Sequence, residues 1–183
     1  RIVSAAWKLF YEQGYEDTTV EEIIELSGTS KGSFYHYFDG KDALLSTLSS
    51  LFDEKYEELT GLLTPEMTAM EQLLFLNREL FHMIEDSISL DLLARLYSTQ
   101  LTTNGEKHLL DHNRIYYKLL RKIIAKGQDD GQLSCRSNVN EMVKLYALCE
   151  RALLYDWCLC AGEYSLTEYS AKVLPGFLSS FLP

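Results

Sequence analysis

The sequence has few cysteines, and none of them stands at a framework spacing. Cys135, Cys149, Cys158 and Cys160 are the four, and we see no signal-peptide pattern ahead of them. Small secreted domains held by disulfides carry cysteines at regular intervals, whereas cytoplasmic proteins keep their thiols reduced. We therefore expect a protein of the reducing cytoplasm without a disulfide framework.

Long uninterrupted hydrophobic runs are also missing. The most apolar window, residues 142–161, has 16 apolar residues of 20, yet it contains Lys144, Glu150, Arg151 and Asp156. A bilayer penalises charges near the middle of a spanning helix. We expect no membrane-spanning segment.

Positive charge is scarce, with 17 Lys and Arg against 27 Asp and Glu and a formal net charge of −10. Nucleic-acid-binding domains are usually basic, so the balance argues mildly against such a partner unless one surface differs from the rest. Hydrophobic residues make up 46% of the chain and aromatic residues 12%, which is enough to build a core and excludes a disordered chain.

Motifs of catalysis are absent as well. There is no serine or cysteine nucleophile motif, no glycine-rich phosphate loop and no carboxylate pair in a recognisable context, so we do not expect an enzyme. His108 and His112 stand four residues apart, a spacing that can hold a metal on a helix, but no third ligand is evident. A wet helix face or a pocket wall explains them better, and we expect no metal and no cofactor.

The sequence does contain helical periodicity, with recognisable signals for the start and end of each helix. The first helix ends near Gly14, and Thr19 followed by Glu22 is a capping box that starts a second, short helix. Gly28 ends that helix, Ser30 can cap a third, and the Phe34 and Phe38 side chains of the third point inward.

The rest of the chain also reads as helices. We predict a fourth helix from Lys41 to about residue 63, then helices over about 65–85, 90–102, 106–127, 139–161 and 166–181. The predicted fold class is all-α, with a three-helix helix-turn-helix head and a larger helical body. We divide the chain into this head, residues 1–45, and this body, residues 46–183.

The third predicted helix is polar and aromatic, whereas the rest of the chain is acidic. Two short helices joined by a tight turn, the second rich in polar and aromatic side chains, are typical of a helix-turn-helix whose second helix enters the DNA major groove. Hydroxyls and free N–H groups at the start of the second helix, and the Lys41 ammonium, suit phosphates. The predicted DNA-binding residues are Thr18, Thr19, Thr29, Ser30, Lys31, Gly32, Ser33, Tyr35, His36, Tyr37 and Lys41.

These residues resemble the tetracycline-repressor-like (TetR/AcrR) transcriptional regulators. The resemblance lies in residues 18–23, 28–38 and 41–45, about a quarter of the chain, and the "DDGQLS" segment before the penultimate helix is similar in layout. It implies a homodimeric repressor bound to double-stranded operator DNA. It also implies that the head, residues 1–45, is a DNA-binding domain. The body, residues 46–183, would then be a ligand-binding and dimerisation domain that binds a small molecule and thereby loosens the DNA-binding heads.

The head departs from the family in its charge and in two residues. Gly40 stands where a capping Ser or Asn is common, and Ile24 replaces a small residue. Residues 1–45 hold four basic and eight acidic side chains, although residues 28–41 alone carry a net charge of +1. We therefore expect DNA affinity that is modest and sensitive to salt, unless a basic tail precedes Arg1. The alternative is a helical protein-interaction adaptor without DNA binding.

The last two helices are the predicted dimer interface. Residues 142–161 are apolar around the whole helix circumference, so one side can face the chain's own core and the other a second subunit. The alternative is a complete core within one chain.

The middle helices are expected to line a cavity for the effector. The mixture of aromatic faces with few polar groups suits a largely apolar or aromatic small molecule, and its charge stays open. The predicted ligand-binding residues are Phe81, Tyr97, His112, Tyr116, Glu150 and Trp157.

Overall fold

The computed structural model describes residues 1–102 and 107–183, and this part of the chain is helical without a strand, which confirms the all-α fold class. No helix within these residues combines the length and apolar character needed to cross a membrane. The helices are α1 (Ile2–Gln13), α2 (Val20–Ser27), α3 (Lys31–Tyr37), α4 (Lys41–Leu45), α5 (Leu48–Thr60), α6 (Ala69–Ser87), α7 (Leu90–Thr102), α8 (Ile115–Asp129), α9 (Val139–Leu159) and α10 (Leu166–Leu178). Short 3-10 helices cover His108–Leu110 and Ser179–Phe181.

Among the described residues, the first compact unit consists of residues 1–51, 89–102 and 107–109. Phe10, Ile23 and Phe34, from α1, α2 and α3, are buried in it. The predicted capping box is confirmed, because the Glu22 amide donates to the Thr19 hydroxyl at 3.2 Å and the Thr19 amide to the Glu22 carboxylate at 2.7 Å. Gly28 adopts φ 62°, the left-handed conformation that ends a helix without steric cost.

The predicted fourth helix is interrupted, which corrects the single helix expected from Lys41 to residue 63. A turn at Ser46 and Thr47 separates α4 from α5. The Ser46 hydroxyl donates to the Ala43 carbonyl at 2.7 Å and the Thr47 hydroxyl to the Leu44 carbonyl at 2.6 Å. Such bonds compete with the helix ladder. The Trp7 indole N–H also donates to the Thr47 hydroxyl at 2.9 Å and holds the turn in place.

Helix α7 belongs to the first unit and packs on α4. The sequence placed residues 89–102 in the body, because helical periodicity carries no information on which helices pack together. The functional division at residue 45 stays a prediction.

The second unit consists of residues 52–88 and 110–183. Helix α6 begins at Ala69, not at Pro65 as predicted, because Thr68 and Glu71 form a second capping box, with the Glu71 amide 3.2 Å from the Thr68 hydroxyl. The Ala69 amide donates to the Gln132 side-chain oxygen at 2.7 Å, so the "DDGQLS" loop completes this helix start.

The predicted helix over 106–127 is wrong in its first third. Residue 106 lies outside the described residues, and α8 begins only at Ile115. The Asn113 amide donates to the Asp111 carboxylate at 2.8 Å, a local turn that competes with a helix. Arg114 then pairs with Asp53 at 3.0 Å. His108 and His112 consequently do not share a helix.

Candidate nucleic-acid interface and candidate effector site

Helix α3 presents the predicted aromatic surface. Tyr37 is 69% exposed and Tyr35 46% exposed, and His36 beside them is exposed too. The helix is held from behind by the fully buried Phe34 and is capped by Ser30, whose hydroxyl accepts from the Ser33 amide at 3.1 Å. The outer face of α3 is therefore exposed to solvent and rich in hydrogen-bonding groups.

The exposed cation of α3 is paired within the head. The Lys31 ammonium lies 3.2 Å from the Glu21 carboxylate, and both side chains are exposed. The pKa of Glu21 is lowered, first by its own backbone N–H and then by Lys31. Exposed pairs of this kind are weak, so a phosphate can compete for Lys31.

Thr18 does not lie where the sequence placed it. Its side chain is only 1% exposed, and its hydroxyl donates to the Gly14 carbonyl at 2.7 Å, so it cannot present a hydroxyl to a phosphate. The exposed Thr19 occupies the helix start instead, with its hydroxyl used in the capping box. Thr29 is half-buried, and its hydroxyl lies 2.7 Å from that of Ser27.

Lys41 has intramolecular partners that the sequence did not reveal. Its ammonium donates to the backbone carbonyls of Tyr15 at 2.6 Å, Glu16 at 3.2 Å and Thr18 at 2.9 Å. It also lies 4.3 Å from the centroid of the Tyr15 ring. Lys41 thus fixes the turn between α1 and α2. Its contact with a DNA phosphate stays a prediction, and that contact would have to displace some of these bonds.

A cluster around Tyr15 stabilises the same turn. The Tyr15 hydroxyl donates to the Asp42 carboxylate, and burial followed by this bond raises the pKa of Tyr15. Arg95 of α7 stacks its guanidinium 4.9 Å from the Tyr15 ring centroid and pairs with Glu16. No sequence pattern predicts this cluster, because Asp42 and Arg95 are distant from Tyr15 along the chain.

The second unit contains a buried polar centre around Glu150, which is 4% exposed. Its carboxylate accepts from the Tyr116 hydroxyl at 2.6 Å and from the Asn77 amide at 2.8 Å. The Ser170 hydroxyl donates to the Asn77 side-chain oxygen at 2.5 Å. Burial raises the pKa of Glu150, and the hydrogen bonds from Tyr116 and Asn77 oppose that effect. Neither Asn77 nor Ser170 is among the residues predicted from sequence, although each is a polar residue that interrupts the apolar stripe of its helix, which is a detectable signal.

Of the six predicted ligand residues, Tyr116 and Glu150 are in direct contact. His112 is exposed, which corrects its expected place on an inward helix face. Phe81 is fully buried, and the Trp157 indole N–H donates to the Tyr164 carbonyl at 2.9 Å. Tyr97 lies in the first unit. Ligand contact by these six residues stays a prediction.

Replacing Glu150 with Gln is expected to change how stability depends on pH. Because burial raises the Glu150 pKa above its ordinary value of 4.5, the folded protein binds this proton more tightly than the unfolded chain. The free energy of unfolding should therefore fall in the wild type, relative to Glu150→Gln, as pH rises from about 4.5 through the raised pKa. Urea unfolding of both proteins across this range measures the difference. A difference that is constant with pH would contradict the assignment.

Comparisons with known proteins agree with this geometry. The family model "Bacterial regulatory proteins, tetR family" matches residues 2–48. The chain is 26% identical over 153 residues to the HTH-type transcriptional regulator QacR of Staphylococcus aureus, covering 80% of this chain and 79% of that protein. It is 41% identical to the HTH-type transcriptional regulator YuxN of Bacillus subtilis, but over 64 residues that span 34% of this chain and only 22% of the relative.

A solved structure extends the likeness to the whole chain. FadR of Thermus thermophilus, a TetR-family transcriptional repressor in complex with lauroyl-CoA, superposes with a TM-score of 0.78 at 25% identity. The superposition covers 100% of this chain and 94% of that one.

Proposed function

Because the chain belongs to the tetR family of bacterial regulatory proteins, we propose that it is a ligand-responsive repressor that binds a pseudo-palindromic operator as a homodimer. The observation that carries this proposal is the exposed outer face of α3, with Tyr35, His36 and Tyr37 on a helix whose inner face is buried. We place the regulator in the cytoplasm, where its operator lies.

The head reads DNA through two kinds of contact. The outward side chains of α3 meet base edges in the major groove, where hydroxyl and imidazole groups can discriminate base pairs. The N-terminus of α2, with the exposed Thr19, offers backbone N–H groups to a phosphate. Lys31 adds a cation when a phosphate displaces Glu21. Helix α3 therefore determines which DNA sequence is preferred, and α2 positions the head on the DNA backbone.

Tyr37→Ala is expected to weaken operator binding by about 1–3 kcal/mol, the usual range for a base-edge contact, without loss of stability. Tyr11→Ala is the matched control, because Tyr11 is 78% exposed on α1 and is not one of the predicted DNA-binding residues. Fluorescence anisotropy with DNA from upstream of the protein's own coding region measures both. Equal effects of the two substitutions would refute the assignment, and failure of the wild type to bind any promoter fragment would favour the adaptor alternative.

The dimer is proposed to form through α9 and α10. Leu148, Tyr155 and Leu159 are 52%, 50% and 66% exposed and lie along one stripe of α9, and Tyr169 on α10 is 44% exposed. Exposed apolar surface of this extent marks an association site. A two-fold axis through it predicts two half-sites in successive major grooves.

Release from the operator is proposed to follow effector binding to the body. The effector shifts the protein towards a conformation unsuited to DNA only by its differential affinity for the two conformations. The lauroyl-CoA bound by the Thermus thermophilus relative supports an effector with a large apolar part.

A further inference from the structure

A groove of about 590 Å³ lies between α6 and α10. This volume falls within the range of sites for small molecules. Neither this groove nor the small cavity beside Gly127, as the described residues define them, is lined by any of the six residues predicted from sequence. The apolar lining residues of the groove are Met67, Leu74, Phe75, Ala171 and Pro175.

Two buried polar side chains form the floor of the groove at one end. Asn77 and Ser170 line it although they are only 3% and 1% exposed. Ser170 has given its one hydroxyl hydrogen to Asn77, so its oxygen can only accept further bonds. Asn77 in turn donates to the Glu150 carboxylate, which polarises its amide and makes the amide oxygen a better acceptor. The floor therefore presents the Ser170 and Asn77 oxygens as acceptors, beside the second N–H of Asn77, and it can take a donor group of a ligand.

The other end of the groove is acidic. Glu66 and Glu71 line it, and their pKa values are lowered, by the Thr64 hydroxyl for Glu66 and by the Thr68 backbone amide for Glu71, so both are charged at neutral pH. Arg78 also lines the groove, with its guanidinium 2.9 Å from the Glu79 carboxylate and 5.5 Å from the centroid of the Phe75 ring. The two carboxylates of Glu66 and Glu71 outnumber this one guanidinium, so the lining carries a net negative charge that attracts a cation.

We propose that this groove binds an amphipathic primary amine, with its ammonium group at Glu66 and Glu71 and its apolar body along Leu74 and Phe75. Glu71 and Asn77 are six residues apart on α6, about 9 Å at roughly 1.5 Å per residue, which matches an apolar body of about six to eight carbons. A donor group at its far end reaches the Asn77 and Ser170 floor.

The polar floor links the groove to the Glu150 centre. A ligand that bonds to Ser170 or Asn77 changes the hydrogen bonding of Glu150, and through it that of Tyr116 on α8. The groove gives the proposed effector a binding site and a head-group class. Binding of the amine does not depend on the proposed function, whereas an effect of the amine on DNA binding rests on it.

Calorimetric titration with octylamine, octanol and octanoate, which share one chain length, tests the head-group preference. Octylamine is expected to bind at least several-fold more tightly than octanoate, and Glu66→Gln to weaken octylamine by about two- to fivefold while leaving octanol unchanged. Octanoate binding as tightly as octylamine would overturn the proposal.

A second pair of variants tests the place of binding. Ala171→Trp fills the groove and is expected to abolish octylamine binding, whereas His82→Trp, exposed on α6 but not lining the groove, is expected to retain it. Thermal unfolding confirms that both variants fold. Unchanged binding in a folded Ala171→Trp would overturn the site, and Glu66→Gln still decides the matter if that variant does not fold.

Operator release is measured separately by adding octylamine to the protein–DNA complex. Release in the wild type but not in Ala171→Trp supports the groove as the effector site. Binding in the groove without release would overturn the effector role and leave the amine site standing. A protein that binds octylamine but no DNA would refute the proposed function and not the groove.

Discussion

Leu148→Glu is expected to yield monomers and to lower operator affinity by about 10²–10⁴-fold, the usual gain from linking two binding modules. Leu148 is 52% exposed in the single chain, so the glutamate costs the subunit little. At a seam between two α9 helices the same carboxylate would be buried beside its symmetry mate without a partner. Each monomer would then hold only one half-site.

Light scattering after size-exclusion chromatography measures the oligomeric state, and a gel shift measures the affinity. Lys118→Glu is the control, because it adds an acidic side chain at an exposed position of α8, outside the two interface helices. Phe177 is a poorer choice for this test, since it is half-buried and packs on Phe181 with ring centroids 6.2 Å apart. A folded dimer of Leu148→Glu would remove α9 from the interface.

Gly127→Ala is expected to destabilise the second unit by about 1–3 kcal/mol, the usual cost of overpacking. A β-carbon at Gly127 would lie 2.6 Å from the β-carbon of Ala69 and 2.8 Å from a methyl group of Leu133. Ala69 is the first residue of α6, and its amide is bonded to Gln132. The added methyl group therefore pushes on a helix start and on the loop that caps it.

The sign of this effect is informative, because Gly→Ala inside a helix ordinarily stabilises by up to about 1 kcal/mol. Gly32→Ala in α3 is the control, since the nearest atom to its added β-carbon is the Ser30 hydroxyl oxygen at an ordinary 3.9 Å. Urea unfolding should show a loss for Gly127→Ala and no loss for Gly32→Ala. A stabilised Gly127→Ala would show that α6 and α8 can separate without cost.

The sequence by itself determined the helical class and the local anatomy of the head. The Thr19 capping box, the left-handed Gly28 and the Ser30 cap all depend on atoms within a few residues of each other, so residue type and spacing are enough to predict them. The outward face of α3 follows from the same periodicity, since burying Phe34 turns Tyr35 and Tyr37 to the surface.

Only the tertiary structure decided which hydrogen-bond partners the polar side chains have. Thr18 bonds to Gly14, Lys41 reaches three carbonyls of the preceding turn, and Asn77 joins Ser170, 93 residues away, to Glu150. Such contacts join residues far apart in sequence, or depend on how a turn folds back, and neither hydrophobic periodicity nor capping rules carry that information. For the same reason, the family resemblance in the sequence predicts a ligand-binding body without placing the site, while the groove between α6 and α10 exists only once those two helices pack.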